Sequence, residues 1–532
     1  MTAPAFNERD KHTEATEAGE AGQPGKHAEA AEAGDRDGWR GLAGRSVAAS
    51  AVMSLAIVAP VVVVLGRILL GDDWSFAAVA GVNALAAAVI IAAAAGYDLL
   101  RLRTTRWRLT GERLELRSGV AERRHRSVPR ERVRSVDITA DPVRRAFGLA
   151  VVKVGTGEHT GDGKELTLDP LTRPEAEALR RTLLEGERAP EAASADDTVV
   201  ARLEWAWIRY APLTIWTFIG GAIAAGALYK LLDMLGFDLL AMDTLKGAWG
   251  WASAHPWLAA PAVLAANLLF GLLGALALFA EAWGRYRLER EPGRLRLHRG
   301  LLTTRSLTLE ERRLRGVEVA EPLLLRLGGG ARVKAVATGL RKAEDNETED
   351  VAALTPPMPR ELAWEVAAKV YGTRPGEAHP VLLRHPRAAR ARRLRWALVT
   401  VLVTAAALGV LDTLFAWVPA WAWAVPVALA PVALGFAVDA YCGLGHGLGP
   451  RHLLTRSGSV LRSTVALERS GIVGWTVRQS FFQRRAGLLT VSATTAAGKG
   501  HYDVLDVGQD EGLRMASVTV PGLLEPFVMR KR

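Results

Sequence analysis

The chain carries SVAASAVMSLAIVAPVVVVLGRILL at residues 46–70, FAAVAGVNALAAAVIIAAAAGY at 76–97 and RLRTTRWRLTGERLELRSG at 101–119. The first two runs are long and apolar enough to cross ~30 Å of hydrocarbon as α-helices, which takes ~20 residues each. The third turns abruptly to arginine, and its Arg113-Leu114-Glu115-Leu116-Arg117 alternates polar with apolar as a half-buried antiparallel strand does. This succession returns twice. Apolar runs at 208–232 and 257–280 lead into the basic segment 285–372, and runs at 396–415 and 421–438 lead into 448–528. Six such runs in regularly spaced pairs describe an integral membrane protein better than buried helices of a soluble core. Pro426 and Pro431 interrupt the sixth run, which is tolerable in a membrane helix whose neighbours satisfy the freed carbonyls.

A net charge of +11, from 67 Lys and Arg against 56 Asp and Glu, would point to nucleic acid in a soluble chain. Here placement matters more than the total. Twelve arginines fall between Arg101 and Arg134, directly after the second run, and six between Arg384 and Arg395, directly before the fifth. Residues 71–75 and 412–420 carry no basic residue. Basic residues near span ends stay in the cytoplasm. The expected topology is therefore a multi-pass cytoplasmic-membrane protein with both termini and all three β-rich segments cytoplasmic, and with residues 230–256 outside. The single cysteine, Cys442, excludes an intramolecular disulfide and a cysteine-based zinc cluster. A disordered tail is expected over residues 1–44, since the first 38 are rich in Ala, Glu and Gly and lack apolar periodicity. No signal-peptide pattern is visible.

The three basic segments register on Gly119, Gly300 and Gly458. Nine residues on stand Val128, Leu309 and Leu467; fourteen on, Val133, Leu314 and Ile472; nineteen on, Ile138, Val319 and Val477. All nine are aliphatic. Asp141-Pro142 and Glu321-Pro322 precede Gly148 and Gly328, and Ser480-Phe481 precedes Gly487. Helical spacing follows at 174–184 and 359–370, with a shorter candidate near 509–516. Each segment reads as a small antiparallel sheet closed by one C-terminal helix.

With its membrane hairpin, Trp107-Arg108-Leu109 or Tyr286-Arg287-Leu288 strand start, glycine-punctuated meander and closing helix, the chain resembles bacterial pleckstrin-homology (PH)-like domains. The triplicated arrangement is similar to the YdbT-type membrane proteins. The most specific local match is Gln479-Ser480-Phe481-Phe482-Gln483-Arg484-Arg485-Ala486-Gly487-Leu488, which resembles a Gln-Ser-x-x-Gln-Arg-Arg-x-Gly-Leu run recurring in that family. The glycine triplet at 328–330 and an acidic insertion at 344–350 depart from the pattern. The resemblance implies a partner role, with a smaller membrane PH-like protein as candidate partner, in envelope stress or antimicrobial resistance. The expected domains are hairpins at 45–100, 205–283 and 393–442, with PH-like domains at 101–190, 284–373 and 447–528.

No catalytic constellation is present: the sequence has no P-loop, no Gly-x-Ser-x-Gly elbow and no His-Glu-x-x-His pair. The glycine run 443–449 lacks the lysine of a phosphate loop and reads as a flexible linker, with His446 and His452 as solvated loop residues. Asp98, Glu281 and Asp439 fall at inner span ends, where pairing with arginines such as Arg101 and Arg285 is the simple account; an ion relay would sit near mid-membrane. The expectation is thus a protein without enzymatic activity, cofactor or metal. Arg101, Arg103, Arg106, Arg108, Arg285, Arg287, Arg390, Arg392 and Arg393 are candidate lipid-headgroup contacts, because a basic residue near an anionic leaflet gains roughly 1 kcal/mol. Nucleic acid is not an expected partner, since no aromatic-interleaved patch accompanies the charge. Tryptophans around the span ends (Trp205, Trp207, Trp251, Trp257, Trp283, Trp396, Trp417, Trp421 and Trp423) are expected interfacial anchors. Gly220, Gly221, Ala224, Gly226, Gly271 and Gly274 offer small faces for a six-helix bundle. The leading reading is a membrane platform of three PH-like domains, the alternatives a transporter or channel for a lipid or peptide and a sensor of anionic phospholipid.

Overall fold

The computed structural model describes residues 38–119, 122–133, 135–155, 166–184, 199–234, 243–338, 352–372, 381–415 and 418–523. The expected disorder of residues 1–37 and the acidic insertion at 344–350 lie outside these. A first unit, Met1–Arg40, is described only over its last three residues; all that follows concerns the second, Gly41–Arg532. Ordered contact in this unit starts earlier than residue 45, as Gly41 O accepts from Trp107 Nε1 at 3.3 Å and Ala43 N–H donates to Pro170 O at 3.2 Å.

The fold is mixed α and β: long apolar helices with several small antiparallel sheets. Helices α1 (Ser46–Gly71) and α2 (Phe76–Thr104) form the first hairpin. Helix α2 outruns its apolar stretch, so Arg101 and Arg103 occupy its last turn and complement the negative end of the helix dipole. A meander of β1 (Arg106–Leu109), β2 (Arg113–Ser118) and β3 (Arg124–Pro129) follows, then β4 (Ser135–Ala140), the one-turn helix α3 (Pro142–Ala146), β5 (Leu149–Gly155), β6 (Leu166–Thr172) and the closing α4 (Arg173–Leu184).

The middle module opens with β7 (Val199–Arg202), and its hairpin is α5 (Ile215–Met234), a short α6 (Asp243–Ala254) and α7 (Pro256–Trp283). The third span therefore starts later than residue 208. Trp205–Tyr210 forms a 3-10 turn whose Trp207 and Tyr210 are buried in the module's core beside Trp283 and Tyr286. These aromatics were expected partly as interfacial anchors, but Trp207 and Trp283 serve packing instead, while Trp205, Trp251, Trp257, Trp396, Trp421 and Trp423 are exposed. Trp417 lies outside the described residues. Strands β8 (Arg287–Glu291), β9 (Arg294–Arg299), β10 (Thr304–Glu310) and β11 (Leu314–Pro322) lead to a one-turn α8 (Leu323–Leu327), β12 (Gly330–Ala337), β13 (Met358–Pro359) and α9 (Arg360–Tyr371).

The last module has α10 (Arg387–Phe415), α11 (Ala424–Cys442), β14 (Gly445–Leu448), β15 (His452–Ser457), β16 (Leu461–Glu468), β17 (Ile472–Arg478), one-turn α12 (Phe481–Arg485), β18 (Leu488–Thr495), β19 (His501–Gly508) and α13 (Gln509–Thr519). The glycine run expected as a flexible linker is largely a buried edge strand. Without a Cβ, Gly445 and Gly447 let residues 381–382 close over them, and Leu383 N–H donates to His446 O at 2.7 Å. His446 is 1% exposed, so it is no solvated loop histidine.

The three register glycines share one conformation. Gly119, Gly300 and Gly458 have φ of +127°, +102° and +99°, and in each a Cβ would run into the carbonyl oxygen three residues on. Only glycine satisfies both demands. The second set shifts by one residue in the middle module, where Gly329, not Gly328, adopts the positive φ found at Gly148 and Gly487.

Sheets run across module boundaries. One has the order β6-β5-β4-β10-β9-β8-β7 and another β13-β12-β11-β16-β15-β14, while β17-β18-β19 stands apart. Both boundaries use one register: Ile138 faces Ser306 as Val319 faces Thr464. In each case the residue nineteen past one glycine meets the residue six past the next. Buried Val136, Leu309, Val317 and Leu467 tie the sheets to the modules' hydrophobic cores.

Among the described residues, six helices are long and apolar enough to cross a membrane, and no more than 17% of the most apolar stretch of any is buried. The chain is a membrane-spanning protein. Packing is concentrated within each hairpin, not in the expected six-helix bundle, since lipid offers helices no hydrophobic drive to gather. Of the small residues singled out, Gly221 and Gly271 carry the closest approach. A Cβ on Gly221 would strike Asn267 O and one on Gly271 would strike Thr217 O, whereas Gly220, Gly226 and Gly274 face open space. Asn267 Nδ2 donates to Phe218 O at 2.7 Å across this contact.

Candidate functional site

Internal sheet continuity leaves two edges of complementary kind. At both boundaries the last strand of one module's first sheet (β10 or β16) pairs with the first strand of the preceding module's second sheet (β4 or β11). Strand β3 corresponds to β10 and β16, and β17 to β4 and β11, yet each ends its sheet among the described residues. On β17, Val473 and Val477 are exposed at 64% and 41%, and the buried Trp475 Nε1 has no hydrogen-bond partner among the described residues. An exposed apolar edge strand is a template for another chain.

The closing helices stitch the occupied boundaries. Arg180, on α4, donates from Nη1 to Thr308 Oγ1 of β10 at 3.2 Å. Tyr371, at the end of α9, accepts from Val317 N–H at 2.5 Å and donates to Ala466 O, bridging β11 to β16. Burial raises the Tyr371 phenol above its ordinary range, which keeps its proton available for that bond.

The nine arginines expected at lipid headgroups divide into two groups. Arg101 pairs with Asp169 at 3.3 Å, Arg108 with Glu115 at 2.6 Å and Arg287 with Glu289 at 2.6 Å. Arg392 and Arg393 both hold Asp506, at 2.6 and 3.4 Å. Arg103, Arg106, Arg285 and Arg390 are exposed. Span-end acids also find partners other than the expected neighbours. Asp98 accepts from Ser46 Oγ at 2.5 Å, and Glu281 accepts from the N–H groups of Leu302 and Thr303 at 2.9 and 2.8 Å. Asp439 binds Arg326 at 2.9 Å, Arg462 at 2.8 Å and Ser459 at 2.6 Å. Nearby sequence could not reveal these pairs, because each joins a span end to residues distant in the chain: Asp98 to the start of α1, Glu281 to the turn before β10, and Asp439 to α8 and the β15–β16 turn.

The Gln-Ser-x-x-Gln-Arg-Arg run is a clamp. Ser480 and Gln483 form a reciprocal capping box on α12, and Gln479 Nε2 donates to Leu488 O at 2.8 Å. Gln483 Nε2 reaches Asp506 Oδ1 at 2.9 Å, so Asp506, 1% exposed, is satisfied from α12 and α10 together. Beside it, His446 Nδ1 lies 3.0 Å from His385 Nε2. Burial first and His446 second push His385 down to about 4, and burial lowers His446, so both are neutral at pH 7. Among the described residues no group of three or more His, Cys, Asp or Glu side chains is set to hold a metal ion.

The bacterial PH domain family model matches residues 54–187 and 397–518, in each case most of a hairpin and the sheets that follow it. No curated protein and no solved structure matches the chain. Two regions of this membrane-spanning chain are thus similar to the bacterial PH domain.

Proposed function

We propose that this is a non-enzymatic cytoplasmic-membrane platform of three PH-like domains, all at the inner face, that recruits a partner by strand addition. The middle module is read as the third PH-like domain because its glycine turn, one-turn helix and closing helix follow the same order as in the matched regions. The cytoplasmic placement rests on the arginines at the span ends. The observation that carries the reading is the open edge β17, whose two counterparts within the chain are both occupied by an edge strand of a neighbouring module. Strand addition takes its affinity from main-chain hydrogen bonds and its specificity from alternate side chains. Another PH-like chain, such as a smaller membrane protein of the same type, fits that requirement, and its setting would be envelope stress or antimicrobial resistance.

The test is affinity purification of the full-length protein from native membrane beside a Val473→Asp, Val477→Asp variant. Both valines are exposed, so the fold is expected to persist. Loss of a stoichiometric PH-like partner in the variant, with unchanged thermal melting, is the expected result. Retention of the same partner by the variant sinks the reading.

A further inference from the structure

A cavity of about 80 Å³ lies at the boundary between the first and middle modules. Its wall draws Arg145 from α3, Arg173 and Arg180 from α4, Arg296 and His298 from β9 and Arg305 from β10. Five guanidinium groups thus meet at a site whose one lining carboxylate, Glu177, is paired with Arg173 at 3.4 Å. Arg145 donates to Leu301 O at 3.1 Å, Arg180 to Thr308 Oγ1 at 3.2 Å, and Arg296 lies 3.5 Å from Glu291. The buried Arg296 Nε and Ser306 Oγ have no hydrogen-bond partner among the described residues. A buried polar group left so is destabilising, and an arriving acceptor would satisfy it.

Burial first, then Arg296 and Arg180, push His298 down to about 4, so its ring is neutral at pH 7 and adds a hydrogen-bonding group without further charge. A cluster of arginines calls for a ligand with several acceptor oxygens and more than one negative charge. A phosphoryl group has both, and guanidinium forks match its oxygens in pairs. The volume suits such a group, since one water occupies ~10–15 Å³ on this measure. The cavity also lies one loop from a span: Leu301, which Arg145 holds, precedes Leu302 and Thr303, whose N–H groups bind Glu281 near the end of α7.

We propose that this intermodule cavity binds a phosphoryl group, presented either by a phosphomonoester lipid headgroup or by a free phosphate. The site is separate from the arginines at span ends and from the open edges, so it does not depend on the platform reading. Full-length protein in phosphatidylcholine nanodiscs is titrated calorimetrically with inorganic pyrophosphate. A second arm incubates the detergent-purified protein with phosphatidic acid and measures the lipid retained per protein. The expected result is saturable binding in at least one arm, weakened tenfold or more by Arg296→Gln and by Arg173→Gln, and unchanged by Arg390→Gln. Arg173 is 66% exposed, so its variant reports on binding even where Arg296→Gln disturbs folding. Pyrophosphate binding identifies a free phosphate as ligand, and retention of phosphatidic acid alone identifies a headgroup. Absence of saturable binding in both arms, or binding indifferent to Arg296→Gln and Arg173→Gln, overturns the proposal.

Discussion

At the scale of single residues, the register glycines and the histidine pair set requirements that a one-atom or one-proton change tests. Gly458 combines φ of +99° with a carbonyl oxygen where a Cβ would stand, whereas Gly474, in β17, faces open space. Gly458→Ala is expected to cost ~1–3 kcal/mol, the usual range for a side chain forced into such backbone, and Gly474→Ala much less. Thermal melting of the two purified variants compares them directly. His385 has its folded-state pKa lowered to about 4 from 6.5, so the folded chain binds fewer protons than the unfolded one between these values. The neutral pair's contribution is complete above pH ~6.5 and is lost as pH falls toward 4, on the order of 2–3 kcal/mol. His385→Asn is expected to flatten that part of the stability profile; an unchanged profile would show that the pair does not govern it.

At the scale of elements, helix α9 locks a sheet boundary through one hydroxyl. Tyr371→Phe removes both the acceptor of Val317 N–H and the donor to Ala466 O while keeping the buried ring. A loss of ~1–3 kcal/mol is expected, with faster amide hydrogen exchange localised to β11 and β16. Exchange that rises evenly over the whole chain would instead mean that the bond is not local to the boundary. The apolar hairpins and the strands were legible in sequence because period and length are local properties, as Arg113–Ser118 and Ser46–Gly71 illustrate. The sharing of sheets was not. Thr304–Glu310 carries the alternation of any strand, and nothing within it states that its neighbour is Ser135–Ala140 of another module. His446 was misread for a related reason: its burial comes from residues 381–385, distant in sequence, packing over a glycine strand. The arginine cavity likewise assembles from α3, α4, β9 and β10, and no contiguous segment contains it.

At the scale of the molecule, β3 and β17 each end a sheet among the described residues, and side-chain charge bears on which strands the proposed edge would accept. Continuing the internal register would set Val477 against His125, Thr476 against Arg126 and Arg478 against Arg124 in a second copy. The corresponding internal pairs are Thr139 with Arg305 and Ala320 with Ser463, neither of them like-charged. Like charges directly opposite destabilise an antiparallel pair, and head-to-tail contacts between identical copies that do not close run on into filaments. The arginine at the end of β17 is therefore expected to oppose self-assembly, and a partner strand on the proposed edge is expected to carry an acidic or neutral residue at that position. The purified protein is expected to be monomeric at low ionic strength. Arg478→Glu converts the opposed arginines into an ion pair and is expected to raise the mass measured by light scattering to that of dimers and larger species. A further Arg124→Glu change should return it to monomer. A mass that stays monomeric through Arg478→Glu would show that the two ends do not meet in this register, and the choice of partner would then have to rest on features of β17 other than charge.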